Sequence, residues 1–259
     1  MNILCIGDVV GRPGRDVLAK VLPAIKQEYA IDLTIVNGEN ASSGSGILPK
    51  HADEMFSLGV DVITLGDHVW DKKEIMPYLD QKAEIIRPAN FPDGAPGRGS
   101  TIVETRQGIK VGVISLLGRS FMKYNVLCPF KALDQILLEM SLVTPVIIVD
   151  MHAETTSEKV AMGHYANGRV SGVFGTHTHI QTADEKVLSK GTAYITDLGM
   201  AGPYDSVIGQ NKEKIIQRFL TSLPHKFEVA ESNATLCGVV ISVDEKTGRA
   251  SRIVRLQQG

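Results

Sequence analysis

Met1-Asn2-Ile3-Leu4-Cys5-Ile6-Gly7-Asp8 opens the chain as a short apolar run that stops at a glycine and an acid. Val9 to Gly14 then reads as a loop punctuated by glycine and proline, and Val17, Leu18, Val21, Leu22 and Ile25 recur at helical spacing. The order is strand, loop, helix, the repeating unit of an α/β fold. It returns at Leu33 to Val36, which enters Asn37-Gly38-Glu39-Asn40, a Ser/Gly-rich loop from Ala41 to Gly46 and a helix near Pro49 to Leu58. Val62 to Leu65 then enters Gly66-Asp67-His68, so three successive strands end in polar clusters.

Later segments continue the pattern. Asp71 and Glu74 have the spacing of a capping box that opens a short helix, and the Pro/Gly-rich stretch Arg87 to Gly99 is irregular. Thr101 to Glu104 and Ile109 to Leu116 read as a hairpin, and Phe130 to Met140 as a helix. Pro145 to Val149 enters Asp150-Met151-His152; after a helix around Glu158 to Ala166, Val170 to Phe174 enters Gly175-Thr176-His177-Thr178-His179. Thr155 and Glu158 are read as the start of that helix. Strands at Thr192 to Thr196, Thr235 to Val243 and Ser251 to Leu256, and a helix near Lys212 to Leu220, are read as structural.

With 259 residues, 43% of them hydrophobic, the chain can bury one substantial core, and one domain over residues 1–259 is expected. No apolar run reaches the ~18 residues of a membrane span, and the first residues lack signal-peptide regions, so a cytoplasmic protein without a membrane partner is expected. Cys5, Cys128 and Cys237 have no metal-ligand spacing and are expected to be reduced, with Cys5 and Cys237 as small buried hydrophobes. A net charge of −2 and a pI near 6.4 exclude a global basic field for long nucleic acid.

Taken singly, an Asp after a strand is usually a turn or a helix cap, and a His-x-His pair is common by chance. Here Asp8, Glu39-Asn40, Asp67-His68, His152 and His177-x-His179 follow different strands, and four of the seven histidines fall among them. Functional groups in open α/β folds gather beyond the carboxyl ends of strands, so these clusters can converge. The resulting mixture of carboxylates, an amide and imidazoles suits borderline divalent metals, and a binuclear site is expected. His51, His164 and His225 stand outside the set and are read as structural, while Arg12, Arg15, Arg87 and Arg119 are read as surface or loop-anchoring groups.

The segments Gly7-Asp8, Gly38-Glu39-Asn40, Gly66-Asp67-His68, His152 and Gly175-Thr176-His177-Thr178-His179 resemble, in this order, the signature of the calcineurin-type metallophosphoesterases. With Gly7 to Arg15, Asn37 to Asn40, Asp71 to Ile75, Arg87 to Pro92, Asp150 to Lys159 and Gly175 to Asp184, the chain more closely resembles the YmdB-like branch, a group of 2′,3′-cyclic-nucleotide phosphodiesterases. The resemblance implies an α/β sandwich of mixed sheets flanked by helices. It also implies one metal on Asp8, Glu39, Asn40 and His179 and another on Glu39, Asp67, His152 and His177, with Glu39 bridging. Val10 stands where many superfamily members carry a metal-binding His, and Glu39 replaces the usual Asp; in this branch Asn40 fills the vacant position. Asp67 stands where Asn is usual, which raises the acid charge to about −3 against about +4 for two divalent ions.

Manganese or iron suits such ligands best, with zinc as a further option. The expected reaction is hydrolysis of 2′,3′-cyclic nucleotides, with 3′,5′-cyclic nucleotides as a second class, by a hydroxide between two metals and with His68 as general acid. The partner is then a small phosphoester, and a homo-oligomer is compatible with this reading. The alternatives are a phosphomonoesterase or 5′-nucleotidase on the same site, or a nucleotide sensor with little turnover.

Overall fold

In the computed structural model, which describes residues 1–224 and 226–259, the strands form one sheet of eight and one of six. His225 lies outside the described residues. The first sheet contains β1 (Asn2–Ile6), β2 (Asp8–Val9), β3 (Leu33–Asn37), β4 (Val62–Thr64) and β5 (Ile85–Ile86). It is completed by β12 (Met200–Pro203), β13 (Ala234–Val243) and β14 (Ala250–Gln258). The second contains β6 (Ser100–Glu104), β7 (Lys110–Leu117), β8 (Ile147–His152), β9 (Gly172–Thr176), β10 (Lys186–Val187) and β11 (Ala193–Ile195). The helices are α1 (Gly11–Glu28), α2 (Pro49–Ser57), α3 (Ile75–Gln81), α4 (Pro129–Val143), α5 (Thr156–Ala166) and α6 (Lys212–Thr221).

Each sheet is built around a parallel quartet. In the first, β1, β3, β4 and β5 run side by side, from Ile3 opposite Leu33 out to Thr64 opposite Ile86. In the second, β7, β8, β9 and β11 do the same. Antiparallel strands flank both quartets, β13 beside β1 and β6 beside β7, so both sheets are mixed as expected.

Side-chain alternation explains the layering. Ile3 and Cys5 of β1, with Leu33 and Ile35 of β3, face Val111, Val113, Ile148 and Phe174 of the second sheet in one shared core. Leu4, Ile6 and Val36 point the other way, onto Leu18, Leu22 and Ile25 of α1 and Met55 of α2. On the far side, Ile114, Leu116, Ile147 and Val149 pack on Leu133, Leu137 and Met140 of α4 and Met162 of α5. The layers are therefore helix, sheet, sheet, helix, and the apolar strands read from the sequence are apolar because both of their faces are covered. Cys5 and Cys237 are buried and unpaired; Cys128 is free and half-buried.

One helix-start expectation needs correction and one holds. α3 starts only at Ile75, and Asp71, instead of capping it, accepts from Ser45 Oγ, Lys123 Nζ and His68. At Asp71 a charged acceptor found better donors across the chain than along it. Thr155 holds the N-cap position of α5 as expected, with Glu158 in the first turn; its Oγ1 donates to Glu158 Oε2 at 3.3 Å, and Glu158 also accepts from the backbone N–H groups of Arg119 and Ser120.

A candidate metal centre between the two sheets

The parallel quartets end on the same side, and their terminal loops meet. Asp8 follows β1, Glu39 and Asn40 follow β3, and Asp67 follows β4, while His152 ends β8 and His177 and His179 follow β9. Asp8, Glu39, Asn40, His152 and His179 are buried, and Asp67 is 5% exposed. One atom each from Glu39, Asp67, His152 and His177 lies within 4.8 Å of the others, a group able to hold a metal ion. His152 Nε2 stands 3.2 Å from Glu39 Oε1, 3.1 Å from Asp67 Oδ1 and 3.0 Å from His177 Nδ1. On the other flank, Asn40 Nδ2 is 3.1 Å from His179 Nε2 and 3.4 Å from Asp8 Oδ1, and Asp8 Oδ2 accepts the His177 N–H at 3.1 Å. Glu39 joins the flanks, since its Oε1 also accepts from Asn40 Nδ2 at 3.2 Å. Gly66 lets the chain pass beneath this group, because a Cβ there would lie 2.3 Å from both Glu39 Oε2 and His152 Nε2.

The donor chemistry fits a cation. Each imidazole has an acceptor on its outer nitrogen, which leaves the inner one a lone pair. Thr176 Oγ1 donates to Asp150 Oδ1 at 2.7 Å and therefore accepts from His152 Nδ1, 2.8 Å away. Glu154 Oε2 lies 3.1 Å from His177 Nε2, and the Ile208 carbonyl accepts from His179 Nδ1 at 2.8 Å. The inward nitrogens thus face each other and the carboxylates, an arrangement that a positive ion satisfies.

The electrostatics of the protein groups alone reflect the same crowding. Burial would raise Asp67 and Glu39, but hydrogen bonds from His152 and His177 hold Asp67, and the His152 charge holds Glu39, below the usual carboxylate range. Burial pushes Asp8 up, and pushes Asp150 up to about 6. Burial works to lower His68, yet Glu39, Asp67 and Asp71 together raise it. His68 Nδ1 sits 2.8 Å from Asp71 Oδ2 while its backbone N–H donates to Glu39 Oε2 at 3.1 Å.

A cavity of about 510 Å³ opens over the centre, lined by Glu39, Asn40, His68, His177 and His179 and also by Ile208, Gln210 and Phe227. A larger neighbouring groove of about 1390 Å³ is bordered by Ser43 and Phe227 as well, but by none of the seven expected ligands.

A family model described as YmdB-like protein matches residues 4–256 of this sequence. The chain belongs to the YmdB-like family. It is 50% identical over 256 residues to a 2′,3′-cyclic-nucleotide 2′-phosphodiesterase of Bacillus subtilis, covering 99% of this chain and 96% of the relative. Among solved structures, a hypothetical protein from Thermus thermophilus superposes with a TM-score of 0.92 at 40% identity, covering 99% of this chain and 98% of the other. A Mycoplasma pneumoniae protein described as a novel phosphatase gives 0.93 at 37% identity, covering 99% and 92%. The mixed-sheet sandwich expected of the YmdB-like branch is the fold observed.

All seven expected ligands and His68 come together in this YmdB-like chain, whereas His51 and His164 do not: His51 Nδ1 meets Ser42 Oγ at 2.6 Å and His164 lies in the last turn of α5. Arg15 and Arg87 anchor loops, Arg87 through the carbonyls of Pro88, Ala95 and Pro96. The supporting partners are not evident from the sequence. Lys159, 1% exposed, donates from Nζ to Asp197 Oδ2 at 2.6 Å, and the same oxygen accepts from Thr178 Oγ1 at 2.7 Å and Thr178 N at 3.3 Å. Thr178 is the middle of the His-x-His turn, whose flanking residues sit at φ 94° and 64°, where L side chains are strained. This buried ion pair grips a strained loop. Asp197 carries a signal, since it follows strand β11 as Asp8 follows β1; Lys159 carries none, since a helix lysine reads as solvated.

Proposed function

We propose that the chain is a metal-dependent phosphodiesterase of cyclic nucleotides, 2′,3′-cyclic substrates first and 3′,5′-cyclic substrates second, with residues 1–259 as one catalytic domain. The observation that carries this reading is Glu39, whose carboxylate joins the His152 flank to the Asn40 flank. The B. subtilis relative, half identical over nearly its whole length, supports the substrate class.

In this reading Asp8, Glu39, Asn40 and His179 hold one ion and Glu39, Asp67, His152 and His177 another. Half a turn of the Asn40 amide puts Oδ1 where Nδ2 now stands. Manganese or iron matches the oxygen and imidazole donors, with zinc as the alternative. Bound ions supply Lewis acidity toward phosphoryl oxygens and acidify water at neutral pH. The chain's own residues do the rest. The carboxylates and oriented imidazoles fix where the phosphate sits. His68, its Nδ1 on Asp71, keeps Nε2 for donating a proton to the departing ribose oxygen. The free cysteines support a reducing cytoplasmic setting, and among the described residues no helix is long and apolar enough to cross a membrane.

Glu39→Gln is expected to lose both bound metal and turnover, read by elemental analysis beside hydrolysis of 2′,3′-cyclic, 3′,5′-cyclic and mononucleotide substrates. His68→Ala is expected to keep its metal and to lose about 10²–10⁴-fold in rate on substrates with poor leaving groups, and less on nitrophenyl esters. Full turnover by metal-free Glu39→Gln protein would end the two-metal reading.

A further inference from the structure

Part of the cavity lining is unlike the ligand residues. Ile208 and Phe227 are apolar and half-exposed, at 46% and 54%, and neither contributes to the hydrophobic core. Gln210 also lines the cavity, and its Oε1 is buried without a hydrogen-bond partner among the described residues. Its Nε2 is held against Gly44: a Cβ added there would stand 3.1 Å from that nitrogen, and Gly44 has a φ of 82°. The Phe227 ring carries the Arg218 guanidinium at 4.8 Å from its centroid, which covers one face and steadies the ring. A buried amide oxygen without a partner costs free energy, which the side chain recovers by turning that oxygen to a ligand donor, and an exposed aromatic ring supported on one side is a stacking surface.

We propose that Phe227 and Gln210 form a nucleobase subsite: the base of a nucleotide whose phosphate lies over Glu39 and His179 stacks on Phe227, and its polar edge pairs with the Gln210 amide. An amide offers a donor and an acceptor side by side, which matches the edge of a base and not an aliphatic alcohol. The cavity, about 510 Å³, falls within the range of small-molecule sites. The subsite rests on the phosphodiesterase reading for its substrate, and it adds the source of selectivity for nucleotides over other cyclic phosphodiesters. Chemistry at the metal centre alone would not tell one such ester from another; the wall supplies the preference.

Adenosine 2′,3′-cyclic phosphate and glycerol 1,2-cyclic phosphate share the five-membered phosphodiester ring and differ in the base, so they form the test pair. Affinity and KM are measured for both with metal-loaded wild type, Phe227→Ala, Phe227→Tyr and Gln210→Ala. The subsite predicts that Phe227→Ala weakens the adenosine ester about tenfold or more, with kcat and the glycerol ester unchanged. Phe227→Tyr restores binding, and Gln210→Ala gives a smaller loss confined to the adenosine ester. Equal loss on both esters, or no loss on either, overturns the subsite while leaving the phosphodiesterase reading intact. Phe227-dependent nucleotide binding without turnover has the opposite meaning: the subsite stands and the catalytic reading falls.

Discussion

The two sheets bring different chemistry to the same centre. The first supplies oxygen, from Asp8, Glu39, Asn40 and Asp67; the second supplies nitrogen, from His152, His177 and His179. Their support differs accordingly. A carboxylate can accept on either oxygen from many directions, and Glu39 is placed by the His68 N–H, Asn40 and His152, all within or beside the centre. An imidazole has one lone pair, and which nitrogen carries it depends on the partner of the other. The histidine side therefore needs outside anchors, and it has them in Thr176 with Asp150, Glu154, the Ile208 carbonyl, and the Lys159–Asp197 pair behind Thr178. The histidines are oriented from outside the centre, whereas Glu39 is placed from within it.

The strongest way to break that contrast is Lys159→Met. It leaves Asp197 charged and buried beside Thr178 and Gly199, and a loss of about 3–5 kcal/mol is expected in denaturant unfolding. A Lys159→Met protein as stable as wild type would show that the pair does not hold the His-x-His turn. Thr176→Val comes next, since valine keeps the volume and removes the hydroxyl between His152 and Asp150. Metal affinity should fall about 10–100-fold in a titration, with the secondary structure retained. The mildest change is Glu154→Gln on the half-exposed rim, where the amide oxygen still accepts from His177 Nε2. A loss of no more than about tenfold in metal affinity is expected; a loss as large as that of Thr176→Val would mean that solvent does not share in orienting His177.

Much of this is legible in the chain itself, and the reason is local. β1, β3, β4, β8 and β9 are covered on both faces, so they appear as nearly continuous apolar runs, and a polar cluster after each run marks where the chain leaves the sheet. The strands that escape a reading of the sequence, β2, β5, β10 and β12, have four residues or fewer, too short for a periodicity to register. Asp71 misleads for the opposite reason. Its spacing is right for a cap, but donors remote in sequence, Ser45 and Lys123, outcompete the helix end.

The sequence alone thus determined the layered α/β class and the ligand candidates, because strand period and strand-end chemistry are properties of a few consecutive residues. Only the tertiary structure decided that α5 sends Lys159 beneath the His-x-His turn to Asp197, that each imidazole turns one chosen nitrogen inward, and that Phe227 and Gln210 line one cavity with Glu39 and His179. These are contacts between residues 24 to 139 positions apart, from His152 with Thr176 to Asn40 with His179. Contacts of that kind leave no period in a sequence; they exist only once the chain has folded and excluded water from around them.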